Sequence, residues 1–269
     1  EPFTHHTVTI GEAWQRAMDM AAELQKKGAK RGDRAIILSM QDAETVYAIW
    51  GCMIAGVIFT VIPPPIDEGK LDRFVSVLNS CKPRFLISNE SMEKESDTDV
   101  TAPLLKKAFL QVVSLKRVYT DKVTPSVTPV ELCAHDAEDL LYLQYTSGST
   151  SAPKGVMVTY GNLMGCIGQC LEIFDFQHTK NNLASWVPFY HNIGLIVAIF
   201  LPVIADTGVS YFIPTLQFLA RPTIWLRVIA DYKVNITAAP NSAYEVCTRL
   251  ISPEDAAKYD LSHVTHLIN

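Results

Sequence analysis

Charge is scarce in this sequence of 269 residues. Only 19% of them are Asp, Glu, Lys or Arg, and acids outnumber bases to give a formal net charge of −5. Without a basic excess, a nucleic-acid surface is not expected. The hydrophobic share, 48%, excludes a disordered chain and predicts a sizeable core. Cysteine occurs six times, at positions 52, 81, 133, 166, 170 and 247, with no CxxC pair and no zinc spacing. A secretory leader pattern is also missing, so these thiols are expected to be buried and free in a reducing, cytoplasmic setting. Cys166 and Cys170 lie four apart on an expected helix, which suggests shared core packing. Internal repeats and low-complexity tracts are absent. Residues 45–62 carry no charge and reach the length of a membrane span. They divide at Gly56, however, into a helical half and a β-branched half that ends in three prolines. Helix, Gly cap, buried strand and Pro stop is the better account, and no transmembrane segment is expected.

What is present is alternation. A capping box at Thr9 and Glu12 opens a helix that ends near Gly28. Strands are expected at 34–40, 57–62, 84–88 and 116–120, with helices at 42–55, 70–80 and 102–113 between them. Residues 89–100 are charged and expected to be exposed, and 121–136 read as a connection with two prolines. A second round follows. Its strands are at 184–187, 208–213, 235–238 and 264–268, and its helices at 162–174, 193–205, 222–232 and 242–251. Strands that alternate with helices predict an α/β fold with mostly parallel sheets covered by helices. Two sub-regions are expected, about 1–120 and 137–269.

The organising stretch is 145–155, YTSGSTSAPKG, between a strand-like run at 139–144 and a second at 155–160. It reads as a hydroxyl-rich turn between two buried strands, closed by one cation. Backbone N–H groups, hydroxyls and an ammonium converging on one point suit a polyphosphate. A Walker A loop needs Gly directly before its Lys, and Pro153 stands there instead. An ordinary polar hairpin is the plain alternative.

The full string resembles the phosphate-binding signature of the adenylate-forming superfamily: acyl-CoA synthetases, luciferases, peptide-synthetase adenylation domains and fatty acyl-AMP ligases. It departs at Ser151, where the family usually has Gly. The resemblance implies that Thr146, Ser147, Gly148, Ser149, Thr150 and Lys154 bind nucleotide phosphates. It leaves Thr150 as the candidate contact for Mg²⁺. A second string, 186–195 (WVPFYHNIGL), is similar to a signature of fatty acyl-AMP ligases, with Asn192 in place of the usual Asp. Peptide-synthetase domains have an Asp near here that holds an α-ammonium. This chain has Tyr190-His191 and no carboxylate, which disfavours an amino-acid substrate. A third string, 238–247 (AAPNSAYEVC), resembles the turn that lines the acyl pocket in those ligases. Tyr190, His191, Pro240, Asn241 and Tyr244 are thus the implied pocket residues. The plain alternatives are a structural histidine and a helix start capped by Asn241. His5, His6, His135, His178, His263 and His266 show no ligand spacing.

The resemblance implies that residues 1–269 are a fragment of the large N-terminal AMP-binding domain, with the C-terminal domain and the family's catalytic Lys outside the chain. The implied activity is ATP-dependent activation of a fatty acid to acyl-adenylate, with Mg²⁺. Acyl transfer to an acyl carrier protein thiol would follow. Two alternatives stand beside it: an acyl-CoA synthetase with CoA as acceptor, and a non-catalytic binding module. Neither a nucleic-acid partner nor catalysis by the fragment alone is expected.

Overall fold

The expected strands pair, and mostly in parallel. The computed structural model describes residues 5–38, 41–98, 103–146, 153–174, 181–205 and 208–269. The chain divides into two units, Glu1–Gly161 and Asn162–Asn269.

The first unit opens with α1 (Ile10–Lys26), where the capping box is formed. The Glu12 N–H donates to Thr9 Oγ1 at 3.2 Å, and the Thr9 N–H donates to Glu12 Oε2 at 2.8 Å. Next come β1 (Arg34–Leu38), α2 (Ala43–Ile54), β2 (Ile58–Ile62), α3 (Glu68–Cys81) and β3 (Phe85–Ser88). They are followed by α4 (Glu90–Thr98), α5 (Pro103–Gln111), β4 (Lys116–Tyr119), β5 (Leu140–Thr146) and β6 (Lys154–Thr159). The six strands form one sheet in the order β4-β3-β1-β2-β5-β6. All pairs are parallel except β5 with β6. β1 and β3 are almost wholly buried, as strands covered on both faces must be. The membrane-length stretch resolves into α2, Gly56 at φ +70 and β2. Among the described residues no helix is long and apolar enough to cross a membrane.

The charged run beyond residue 89 is not a plain exposed segment, because α4 forms there. Its first N–H, from Glu90, donates to Asp121 Oδ1 at 2.8 Å, and a Lys94–Glu90 pair at 2.7 Å adds i,i+4 support. Met92 anchors it in the core. The connection at 123–131 differs from expectation as well, since it is laid along α1. Val123 O accepts from Arg16 at 3.2 Å, the Ser126 N–H donates to Asp19 Oδ1 at 3.0 Å, and Glu131 O accepts from Gln25 at 2.6 Å. It therefore belongs to the first unit, and the division falls after Gly161.

The second unit holds most of α6 (Tyr160–Phe174), β7 (Asn182–Ser185), a π-helix at Ile193–Phe200 that continues into α7 (Leu201–Ile204), and β8 (Val209–Phe212). α8 (Thr215–Ala220), α9 (Thr223–Asp231), β9 (Ile236–Ala238), α10 (Asn241–Leu250), α11 (Pro253–Ala256) and β10 (His266–Ile268) complete it. The strands form an all-parallel sheet in the order β10-β9-β7-β8. One helix was expected at 193–205. The wide turn replaces its first half, with the Leu201 N–H reaching back to Ile196 O. Pro202 has no N–H to donate, so an α-helical ladder cannot run through this point. The core here is aromatic: Trp186 stacks on Phe218 at 3.8 Å between centroids, and Trp225 meets both edge-on.

Candidate functional site

In the first unit the signature turn joins β5 to β6 as an antiparallel hairpin, with Thr146 directly opposite Lys154 and Tyr145 opposite Gly155. Directly opposed residues share a face, and successive residues alternate faces. On one face the buried Tyr145 ring lies over Gly155, where an added Cβ would come within 2.9 Å of the ring. The Gly of the Pro-Lys-Gly run is thus fixed by the aromatic that opens the signature. Tyr145 is held by α3 at both ends, through Arg73 to its carbonyl and through its own hydroxyl to Ser80 Oγ, each at 3.0 Å. Burial pushes its phenol up, so the hydroxyl stays a donor. The other face carries Thr146 and Lys154, both exposed at the mouth of the turn. A hydroxyl and an ammonium side by side there fit the phosphate chemistry. Ser147, Gly148, Ser149, Thr150 and Ser151 lie outside the described residues. β6 is also not the buried strand expected, because Val156 and Met157 are 50% and 66% exposed.

In the second unit both remaining signatures sit at the carboxyl edge of one parallel sheet. β7 and β9 are neighbours. The chain leaves β7 toward β8 on one side and leaves β9 toward β10 on the other. Connections that diverge from adjacent strands leave a crevice between them, the usual ligand position in such sheets. Residues 186–192 follow β7, and residues 239–240 follow β9. Trp186 and Phe189 are buried, the latter edge-on to Phe212 at 5.2 Å. Tyr190 is 40% exposed and His191 is exposed. The His191 N–H donates to Pro188 O at 2.9 Å, and its Nδ1 accepts from the Ile193 N–H at 3.2 Å. With Nδ1 accepting, a neutral ring carries its proton on Nε2 and offers it outward. Gly194 closes this turn, since a Cβ there would stand 2.2 Å from Pro188 O and 2.5 Å from Val187 O. Asn192 is exposed and makes no side-chain cap.

On the β9 side, Pro240 is the N-cap of α10, and Asn241 is its first helical residue. Asn241 therefore does not cap the helix; its Nδ2 donates to Glu245 Oε1 at 3.2 Å instead. Tyr244 is half-buried, with its ring 5.5 Å from Trp225 and its phenol pushed up by burial. The structure thus brings Tyr190 and His191 to the same sheet edge as Pro240 and Asn241. The roles of Gly194, Arg73 and Ser80 were not read from the sequence. Gly194 had a signal, its fixed place in the second signature, but Arg73 and Ser80 had none. A cavity of about 540 Å³ between α1 and residues 124–129 contains none of the signature residues.

The family described as "AMP-binding enzyme" matches residues 2–269. The chain belongs to the AMP-binding enzyme family. A Mycobacterium tuberculosis protein named for fatty-acid–CoA ligase activity, fadD25, is 30% identical over 268 residues, covering 98% of this chain and 45% of that protein. The medium-chain-fatty-acid–[acyl-carrier-protein] ligase JamA of Moorena producens is 31% identical over 265 residues, 96% of this chain and 43% of the relative. A fatty acyl-adenylate ligase from L. pneumophila, solved with acyl adenylate and pyrophosphate, superposes with a TM-score of 0.85 at 29% identity. It covers 97% of this chain and 44% of that one. The AMP-binding chain thus spans less than half the length of these relatives. Its α/β architecture is that of the N-terminal domain of adenylate-forming enzymes.

Proposed function

We propose that this chain is the phosphate- and acyl-binding part of a fatty acyl-AMP ligase. The reaction is a fatty acid carboxylate plus ATP giving acyl-adenylate and pyrophosphate. The observation that carries the reading is the hairpin mouth, where Thr146 and Lys154 stand exposed and opposed at the two ends of the Ser/Gly/Thr turn. A compact ammonium suits phosphate oxygens. Thr146 contributes a hydroxyl, and the turn itself, 147–152, would contribute backbone N–H groups with Ser147, Gly148, Ser149 and Thr150. Mg²⁺, if the site takes it through Thr150, would neutralise phosphate charge.

The carboxylate is already ionised and needs no base to attack the α-phosphorus. The chain's task is positioning and charge stabilisation. His191 offers an Nε2 proton from a turn whose backbone is fixed by Gly194. Pro240, Asn241 and Tyr244 line the same sheet edge, and Tyr190 adds an exposed aromatic wall. None of these offers a carboxylate to an ammonium, so a fatty acid is favoured over an amino acid. Similarity to JamA supports a carrier-protein thiol as the acyl acceptor, and similarity to fadD25 supports CoA as the second reading. The test is acyl-adenylate trapping by the intact protein with ATP and a fatty acid, followed by competition between CoA and a phosphopantetheinylated carrier protein. No adenylate with any fatty acid would leave only the binding-module reading.

A further inference from the structure

The six cysteines were expected to be buried, and four of them fit a structural role. Cys52 and Cys81 are buried, and burial pushes the Cys81 thiol up to about 11 and that of Cys52 higher still. Cys133 is half-buried and directs its thiol at Ala134 O, 3.5 Å away. Cys247 is half-buried on α10, with its thiol raised by burial. Cys166 and Cys170 are different. The buried stripe of α6 consists of Leu163 and Ile167. Cys170 lies half-buried on its border, and Cys166 is exposed. Core packing does not explain Cys166.

Four residues apart on a helix, the two side chains stand about 40° from each other around the axis. Their Cβ atoms are then about 5–6 Å apart. Burial, with the Cys166 thiol as a neighbour, holds the Cys170 proton on sulfur. A disulfide needs Cβ atoms about 3.5–4.5 Å apart, so oxidation would distort the helix. A single larger atom between the two sulfurs needs no distortion, because each bond to it is about 2.3 Å long for a metal such as zinc.

We propose that Cys166 and Cys170 form a two-thiol chelate on α6 for one soft, thiophilic centre, such as trivalent arsenic or a soft divalent ion. With an aryl arsenoxide, two S–H bonds and the As–O unit break, two As–S bonds form, and the oxygen leaves as one water. Arsenic stays trivalent and no oxidant is needed. A divalent ion would instead displace the two thiol protons into solution. The chelate is independent of adenylation.

The probe is phenylarsine oxide, added to the intact chain and read by mass spectrometry of the native protein. The expected result is one phenylarsenic group per chain, removed by a dithiol competitor and not by a monothiol. The adduct should be lost in both Cys166→Ser and Cys170→Ser and kept in Cys133→Ser and Cys247→Ser. Cys166 is exposed, so its serine variant folds; an unchanged thermal midpoint checks this. Chelation should also raise the thermal midpoint by bridging one turn of α6. An adduct that survives in either α6 variant, or that forms only after denaturation, overturns the proposal.

Discussion

Lys154 opens β6 opposite Thr146 and is exposed at the mouth of the signature turn. Removing a charge-assisted contact to phosphate costs about 1.5–3 kcal/mol, roughly tenfold to a hundredfold in rate or affinity. Lys154→Ala in the intact protein is therefore expected to weaken ATP use by that factor in pyrophosphate exchange. An unchanged KM and kcat would remove Lys154 from the site. Gly194 makes a structural prediction at the same scale. A methyl there meets two backbone carbonyls rather than a side chain that could swing aside. Overpacking of this kind costs about 1–3 kcal/mol. Gly194→Ala should lower the thermal midpoint by several degrees, and an unshifted melt would show that the 187–188 turn yields. The proposed function gives Tyr190-His191 no carboxylate with which to hold an ammonium, so the intact protein should activate fatty acids and no free amino acid, as read by exchange with each in turn.

At the scale of the element, the hairpin was legible because its cause is local. Hydroxyls, glycines and a Pro-Lys-Gly stop between two apolar runs can hardly be anything but a turn. The antiparallel register then follows from its shortness. The burial of β6 was misread, since alternating apolar residues look the same on a covered strand and on the edge strand that Val156 and Met157 occupy. α4 was missed because its sequence, ESMEKESDT, has a single apolar anchor. Its support comes from Asp121, 31 residues away from Glu90. The short α8 and α11 were invisible for a similar reason: four to six residues carry no period. The π-helix was read as ordinary helix, because an apolar run does not announce the width of its turn.

The hairpin also carries a pH prediction. Tyr145 and Tyr160 flank it, and burial raises both phenols above the ordinary tyrosine value. A raised value means that the folded state holds these protons more tightly than the unfolded chain. Their contribution is complete below about pH 10 and is lost as pH climbs toward the raised values. Thermal midpoints should therefore fall between neutral pH and the alkaline range, and Tyr145→Phe should flatten part of that fall. Identical alkaline slopes for wild type and variant would show that Tyr145 has no share in it.

At the scale of the whole molecule, the α/β alternation was legible throughout and the boundary was not. The prolines at 125 and 129 suggested a linker, but side chains of α1 hold that segment, and pairing of β2 with β5 carries the first unit on to Gly161. Each unit has its own buried core, centred on Phe59, Phe74 and Phe85 in the first and on Phe189, Phe218 and Trp225 in the second. Residues 1–269 alone are thus expected to unfold cooperatively, as read by near-ultraviolet circular dichroism of those aromatics. Catalysis is a separate matter. The chain spans 43–45% of the relatives named for acyl activation. The family resemblance implies a C-terminal domain and a catalytic Lys outside residues 1–269. Each preorganised electrostatic group of that kind is typically worth a factor of about 10² or more in kcat. Residues 1–269 should therefore show a sharp melt, weak or undetectable ATP binding and no measurable acyl-adenylate. Adenylate formed by this segment at a rate near that of an intact ligase would mean that the chemistry lies wholly within these two units, and that the hairpin needs no further cation to close the site.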